Sequence, residues 1–190
     1  SFSGVPYTYE LLNQSGHLRK ANSIKVYTQA GGKLSAKLQK LFVEHCVKEG
    51  KKFFVMYGMT EATARISVLP MGYSPNKIGS VGKPIAGGHV FIDRGSDLYQ
   101  EGEIVYSGKN VCLGYCSCLK DLESGDENKG ILHTGDFGYL DDDGFLYITG
   151  RRKDFIKIYG KRICLNSISQ LVEELCGAEV ICTFVNGKIR

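Results

Sequence analysis

Phe53-Phe54-Val55-Met56-Tyr57-Gly58-Met59-Thr60-Glu61 is the stretch whose reading decides the fold. Phe53, Phe54 and Val55 carry the aromatic and β-branched bias of a buried strand. Gly58 breaks that run, and Thr60 and Glu61 then set a hydroxyl beside a carboxylate. Such a pair suits phosphate oxygens and a Mg2+ ion. The same residues in isolation also make an ordinary strand-to-loop turn, so the surrounding chain has to decide.

Upstream, Ile24, Val26 and Thr28 alternate with Lys25 and Tyr27, which predicts a short strand ending at Gly31-Gly32. From Leu34 the period changes. Leu34, Leu38, Leu41, Phe42 and Cys46 fall on one helical face with Lys37, Lys40 and Glu44 off it, predicting an amphipathic helix over 34–49 that Gly50 stops. Strand, crossover helix and strand imply two parallel neighbours. These end on one sheet edge, so the Gly31-Gly32 loop and the 57–61 loop lie side by side, in the crevice where such sheets bind ligands. Glycines there admit a flat ligand to the backbone, and Tyr57 offers an aromatic face. Further upstream, Val5-Pro6 to Leu12 reads as a helical turn started by proline.

After Pro70 the pattern shifts to short strands and turns. Gly79, Gly82, Gly87 and Gly88 punctuate it, Val90-Phe91-Ile92 and the run from Gly102 to Gly108 read as strands, and residues 75–150 are expected to form a small barrel or a distorted antiparallel sheet. Residues 120–130 read as a solvated loop. Asp141-Asp142-Asp143-Gly144 predicts a hairpin turn; Tyr139 stands where a calcium loop needs an acidic or amide group. Thr134-Gly135-Asp136 predicts a carboxylate after a tight turn at a strand end, able to accept from two neighbouring sugar hydroxyls or merely solvated. Residues 151–162 interleave six basic residues with Phe155 and Tyr159. That pattern allows a nucleic-acid surface, a set of cations for a small ligand's phosphates, or a solvated basic strand. A helix over Ser167 to Cys176, capped by Asn166 or Ser167, has Ile168, Leu171, Val172 and Leu175 on one face. A strand, a turn at Asn186-Gly187 and the start of another strand follow.

With 190 residues the chain can bury a substantial core, and 43% apolar with 23% charged residues is ordinary globular composition. A net charge of +4 argues for neither a nucleic-acid nor a membrane-surface protein, and no apolar run is long enough to span a bilayer. Seven cysteines, an odd and scattered count, fit a reducing cytosol, and Cys112, Cys116 and Cys118 lack zinc-site spacing. The start at Ser1-Phe2-Ser3-Gly4 has no initiator Met or signal layout, which predicts a segment of something longer. Walker, dinucleotide and nucleophile-elbow motifs are missing.

Taken together, Tyr57-Gly58-Met59-Thr60-Glu61, Gly79-Ser80-Val81-Gly82-Lys83-Pro84, Gly102-Glu103-Ile104, Gly114-Tyr115, Thr134-Gly135-Asp136 and the run Gly150-Arg151 to Arg162-Ile163 resemble the adenylate-forming superfamily of acyl-CoA synthetases and their relatives. The bacterial acyl- or aryl-CoA ligases are the most similar in character. The resemblance implies an α/β fold. Residues 1–150 would be the remainder of a large AMP-binding domain, with 1–70 its α/β part and 75–150 a β-rich, barrel-like part. Residues 151–190 would be a hinge and the beginning of a small α+β C-terminal domain.

It also implies ATP/AMP and Mg2+ as cofactors, coenzyme A as co-substrate, a small carboxylic acid as substrate, and a cytoplasmic enzyme without a transmembrane segment. Gly31, Gly32 and Tyr57 would hold adenine, with Ile148 against the base. Asp136 and Arg151 would hold ribose, and Gly58 and Met59 would wall the acyl pocket. Thr60 would contact phosphate, Glu61 would ligate Mg2+, and Lys153 would be the hinge. Lys157, with Gly160, would reach the site in the thioester-forming orientation. Lys188 in Asn186-Gly187-Lys188 resembles the adenylation lysine but arrives soon after the hinge. The family's Gly-, Ser- and Thr-rich phosphate loop is not among these residues, so the chain is expected not to turn over alone. Two alternatives stand beside this reading: an adenylation domain that loads a carrier protein, and a non-catalytic basic module for nucleic acid.

Overall fold

The alternating and helical patterns on either side of residue 50 fold as strand–helix–strand units. The computed structural model describes residues 1–16, 22–95, 100–158, 161–178, 180–185 and 188–189. The first sheet has the order β1 (Phe2–Gly4), β2 (Val26–Gln29), β3 (Lys52–Tyr57), β4 (Ser67–Leu69), β5 (Lys83–Pro84). β1, β2 and β3 are parallel, whereas β4 and β5 add antiparallel to the far edge. β1 is an addition to what the sequence suggested, since three residues carry no periodic signal. It makes the segment after it, α1 (Pro6–Gln14), a full crossover helix.

The second crossover is α2 (Ala36–Lys48), where Ser35 caps the first turn by accepting from the Leu38 amide at 3.3 Å. Its apolar stripe is buried through Leu38, Phe42, Val43 and Cys46. Tyr9, Tyr27, Phe42 and Phe53 fill the core between helices and sheet, all with 0% exposure. Tyr9 meets Phe42 edge to face at 4.8 Å, and its hydroxyl donates to the Thr28 carbonyl at 2.8 Å. Gln39 is also buried on this helix. Its Oε1 accepts from the Gly79 amide at 2.8 Å, which joins α2 to the loop before β5.

The second sheet runs β6 (His89–Asp93), β7 (Gly102–Ser107), β8 (Ile131–Leu140), β9 (Leu146–Arg151), all antiparallel neighbours. Of the two forms left open for 75–150, the described strands make the distorted sheet, with register shifts opposite Glu103/Val105 and at Phe137/Gly138. The Asp141–Gly144 hairpin forms as expected, Asp141 Oδ1 accepting from the amides of Asp143 and Phe145 at 3.1 and 2.8 Å. Thr134-Gly135-Asp136, by contrast, lies inside β8 rather than after a strand end. Gly135, at φ +69°, forms the bulge opposite Ile104 that lets the strand continue.

The two sheets are spliced at Gly82. Its carbonyl and the Val81 amide pair with Leu146 of β9, at 2.8 and 2.9 Å. Gly82 sits at φ +90°, and a Cβ there would lie 2.0 Å from the Val68 carbonyl, so only glycine passes. Ile104, Tyr106 and Leu146 of the second sheet share a core with Tyr57, Ala62 and Ile66 from the rim of the first.

Beyond β9 a turn at Arg152–Asp154 leads to the antiparallel pair β10 (Phe155–Ile158) and β11 (Lys161–Cys164), then α3 (Leu165–Cys176), β12 (Phe184–Val185) and β13 (Lys188–Ile189). α3 starts earlier than expected, and neither Asn166 nor Ser167 is its cap: Cys164 occupies that place without a side-chain bond. Asn166 Nδ2 instead donates to Asp154 Oδ2 at 2.8 Å. The apolar face expected of this helix is half open, with Leu171 58% and Leu175 79% exposed. Gly160, Tyr159 and the Asn186-Gly187 turn lie outside the described residues, as does the side chain of Lys157.

Candidate functional site

Because β2 and β3 are parallel and Gln29 pairs with Val55, the chain leaves both strands on the same edge. There a cleft of about 850 Å³ opens between the two sheets and α3. Gly31, Gly32, Tyr57, Gly58, Met59 and Thr60 line it from the first sheet. Glu61, Asp136, Ile148 and Arg151 line the same cleft, so of the expected site residues all but Lys153 and Lys157 are brought together there, the side chain of Lys157 lying outside the described residues. Lys153 lies beside the cleft in the exposed 152–154 turn, and Lys188 is in β13 and does not line it.

One of the lining residues is a carboxylate held from both sides. Tyr57 OH donates to Asp136 Oδ2 at 2.7 Å, and Arg151 Nε meets Asp136 Oδ1 at 3.1 Å. Asp136 and Arg151 are cross-strand partners in β8 and β9, and Thr134 Oγ1 accepts the Asp136 amide at 3.1 Å. Burial, then the neighbouring Asp136 carboxylate, push the Tyr57 phenol well above its ordinary pKa, so it stays a neutral donor. Each Asp136 oxygen keeps a lone pair for a further donor. Tyr57 is 9% exposed, so it presents only part of its ring to the cleft.

Two loop contacts prepare the rim. Gln29 Nε2 donates to the Gly32 carbonyl at 2.9 Å, holding the Gly31-Gly32 turn, in which Gly31 sits at φ +78°. Glu61 accepts a hydrogen bond from the Tyr115 hydroxyl, and its carbonyl accepts from the Cys112 amide at 2.7 Å. The Tyr115 bond holds the Glu61 carboxyl below the usual carboxylate range, so it is ionised at neutral pH. Among the described residues no cluster of three or more His, Cys, Asp or Glu side chains could hold a metal. A single carboxylate beside a phosphate site nevertheless fits Mg2+, which keeps most of its waters and takes substrate oxygens.

Sequence reasoning missed several parts of this wall. Tyr115 belongs to a motif that was noted without a role. Lys33, directly after the glycine pair, also lines the cleft. So do Asn166, Ser169 and Glu173. These lie at i, i+3 and i+7 on α3, and that polar stripe was the available signal.

The AMP-binding enzyme family model matches residues 1–116. The 2-succinylbenzoate–CoA ligase of Bacillus cereus (strain Q1) is 35% identical over 166 residues, 86% of this chain and 34% of that protein. The o-succinylbenzoate CoA synthetase of Bacillus subtilis, solved with the acyl-adenylate intermediate OSB-AMP, is similar at a TM-score of 0.76 and 32% identity, over 98% of this chain and 38% of that one. The same enzyme solved with ATP and magnesium ion gives 0.73 and 33%, over 98% and 39%. The chain therefore spans about a third of the length of the curated relatives it matches. No helix among the described residues is long and apolar enough to cross a membrane. On the matched motifs, the shared α/β fold and these relatives, the chain belongs to the family of AMP-binding, adenylate-forming enzymes.

Proposed function

We propose that this chain is the nucleotide-gripping part of an ATP-dependent carboxylic acid–CoA ligase that releases AMP. The observation that carries the reading is Asp136, held by Tyr57 and Arg151 in one cleft with the Gly31-Gly32 turn and Glu61. The glycine turn, Tyr57 and Ile148 bound a slot for adenine. Asp136 accepts from the two ribose hydroxyls, with Arg151 fixing its second oxygen. Thr60 donates to phosphate, and Gly58 and Met59 border the acyl group. Glu61 would hold Mg2+, whose positive charge, when bound, offsets that of the phosphates.

In the first step a carboxylate oxygen of the acid bonds to the α-phosphorus, the α–β anhydride breaks, and pyrophosphate leaves. In the second, a thiolate bonds to the acyl carbon and AMP leaves with the electron pair of the mixed anhydride. Cations and donors fixed around the phosphates stabilise the charge that develops there. Turning about Lys153 would exchange the residues facing the adenylate, bringing Lys157 in for the thiol step.

Coenzyme A, the acceptor named for the relatives above, is favoured over a carrier protein. Arg151, one of the basic residues at 151–162, is committed to Asp136 inside the cleft, which favours a small anionic ligand over nucleic acid. A cytoplasmic location is supported by the seven cysteines, all free of disulfides.

The test is a pair of variants in the full-length protein. Glu61→Gln should lower acid-dependent ATP–pyrophosphate exchange by about 100-fold, the scale of losing one charge-stabilising group. Lys153→Pro should leave exchange near wild type and slow thioester formation at least about tenfold. Normal exchange in Glu61→Gln, or equal loss of both steps in Lys153→Pro, would count against these roles.

A further inference from the structure

Thr63 and Ala64, directly after the 60–62 turn, both adopt positive φ, +48° and +66°. Non-glycine residues hold that left-handed conformation only where other contacts enforce it. The pair folds the chain back so closely that a Cβ on Gly58 would lie 2.4 Å from the Ala64 carbonyl oxygen. Asn110 brackets it. Its Nδ2 donates to the carbonyls on either side, Ala62 at 2.6 Å and Arg65 at 2.9 Å. Thr63 Oγ1 donates to the Asn110 backbone carbonyl at 2.7 Å. The amide cannot turn over, because the hydroxyl of fully buried Tyr106 donates to Asn110 Oδ1 at 2.8 Å. Gly108 makes room for this arrangement, since a Cβ there would sit 2.6 Å from both groups.

We propose that Asn110 is a positioning residue: it holds the strained 62–65 turn and thereby sets Thr60 and Glu61 at the phosphate end of the cleft. Asn110 itself does not line the cleft. The proposal rests on the assignment of Thr60 and Glu61 to phosphate and Mg2+ made above.

The experiment compares wild type, Asn110→Ala and Asn110→Ala with Ala64→Gly in the full-length protein. It reads peptide-resolved hydrogen exchange over residues 59–66 and the Kd for Mg2+-ATP and for AMP. Asn110→Ala should speed exchange in that peptide and weaken Mg2+-ATP by about tenfold each, the scale of one or two lost hydrogen bonds, with AMP, which meets Thr60 but needs no Mg2+ at Glu61, weakened less, by about threefold. Ala64→Gly relieves one of the two strained residues, leaving Thr63 at positive φ, and should restore part of both losses. Should the alanine variant unfold, Asn110→Asp keeps the acceptor for Tyr106, removes the donors, and should give the same pattern. Unchanged exchange, or equal weakening of AMP and Mg2+-ATP without rescue, would overturn the proposal. Faster exchange in a protein whose wild type binds AMP but not Mg2+-ATP would instead overturn the phosphate assignment, leaving the clamp itself in place.

Discussion

Asp136 shows how far single residues could be read. A carboxylate that takes part in the cleft was legible in Thr134-Gly135-Asp136. Its setting inside a bulged strand was not, because a glycine at φ +69° reads the same in a turn and in a bulge. Tyr57 was legible as an aromatic residue at the strand end, though it is more buried than an open aromatic face would be. Its hydroxyl bond to a residue 79 positions away depends on how the two sheets meet, which no local pattern encodes. That bond makes a prediction. Tyr57→Phe keeps the ring and removes one donor from Asp136, so AMP binding measured by titration calorimetry should weaken by about tenfold. Binding of 2′,3′-dideoxy-AMP, which offers Asp136 no hydroxyls, should change less than about twofold. Equal weakening of both would place the loss in ring packing instead.

At the scale of elements, α2 and the 141–144 hairpin were legible because their signals are local: a 3.6-residue apolar stripe and a turn sequence between strands. The exposed Leu171 and Leu175 show the limit of that logic, since periodicity names a face without saying what covers it. Gln39 shows another limit. It follows Leu38 on the buried side of α2, and only the distant Gly79-Ser80 loop explains a buried amide there.

Lys77 ties that same region to the hairpin, with Nζ 2.8 Å from Asp141 and 2.5 Å from Asp143. Burial alone would raise the Asp141 pKa, but hydrogen bonds from Lys77 and the Phe145 amide outweigh it and the net shift is downward. The same bonds, first to Asp141 and then to Asp143, raise Lys77. A lowered acid stabilises the fold above its unfolded pKa of about 4 and loses that contribution as pH falls through the folded value. A raised lysine contributes below about 10 and loses it only at higher pH. Lys77→Met should therefore lower the urea midpoint at pH 7, and the gap from wild type should close as pH falls well below 4. A gap that stays constant into acid would show the pair contributes nothing.

For the molecule as a whole, the parallel sheet and the edge that carries the cleft followed from one strand–helix–strand reading, since a crossover helix fixes both direction and shared edge. The splice of the second sheet onto the first could not be read. It runs through strands of two or three residues and a single bridge between Gly82 and Leu146, too short for any period to show. That splice brings Asp136 from the second sheet to the tyrosine and glycines of the first and so makes one cleft out of two edges. A crystal structure of the protein with AMP bound tests this most directly. Adenine should lie between Tyr57 and the Gly31-Gly32 turn, the ribose hydroxyls about 3 Å from the Asp136 carboxylate, and the phosphate toward Thr60. AMP bound elsewhere, or in the cleft with its ribose turned away from Asp136, would contradict it.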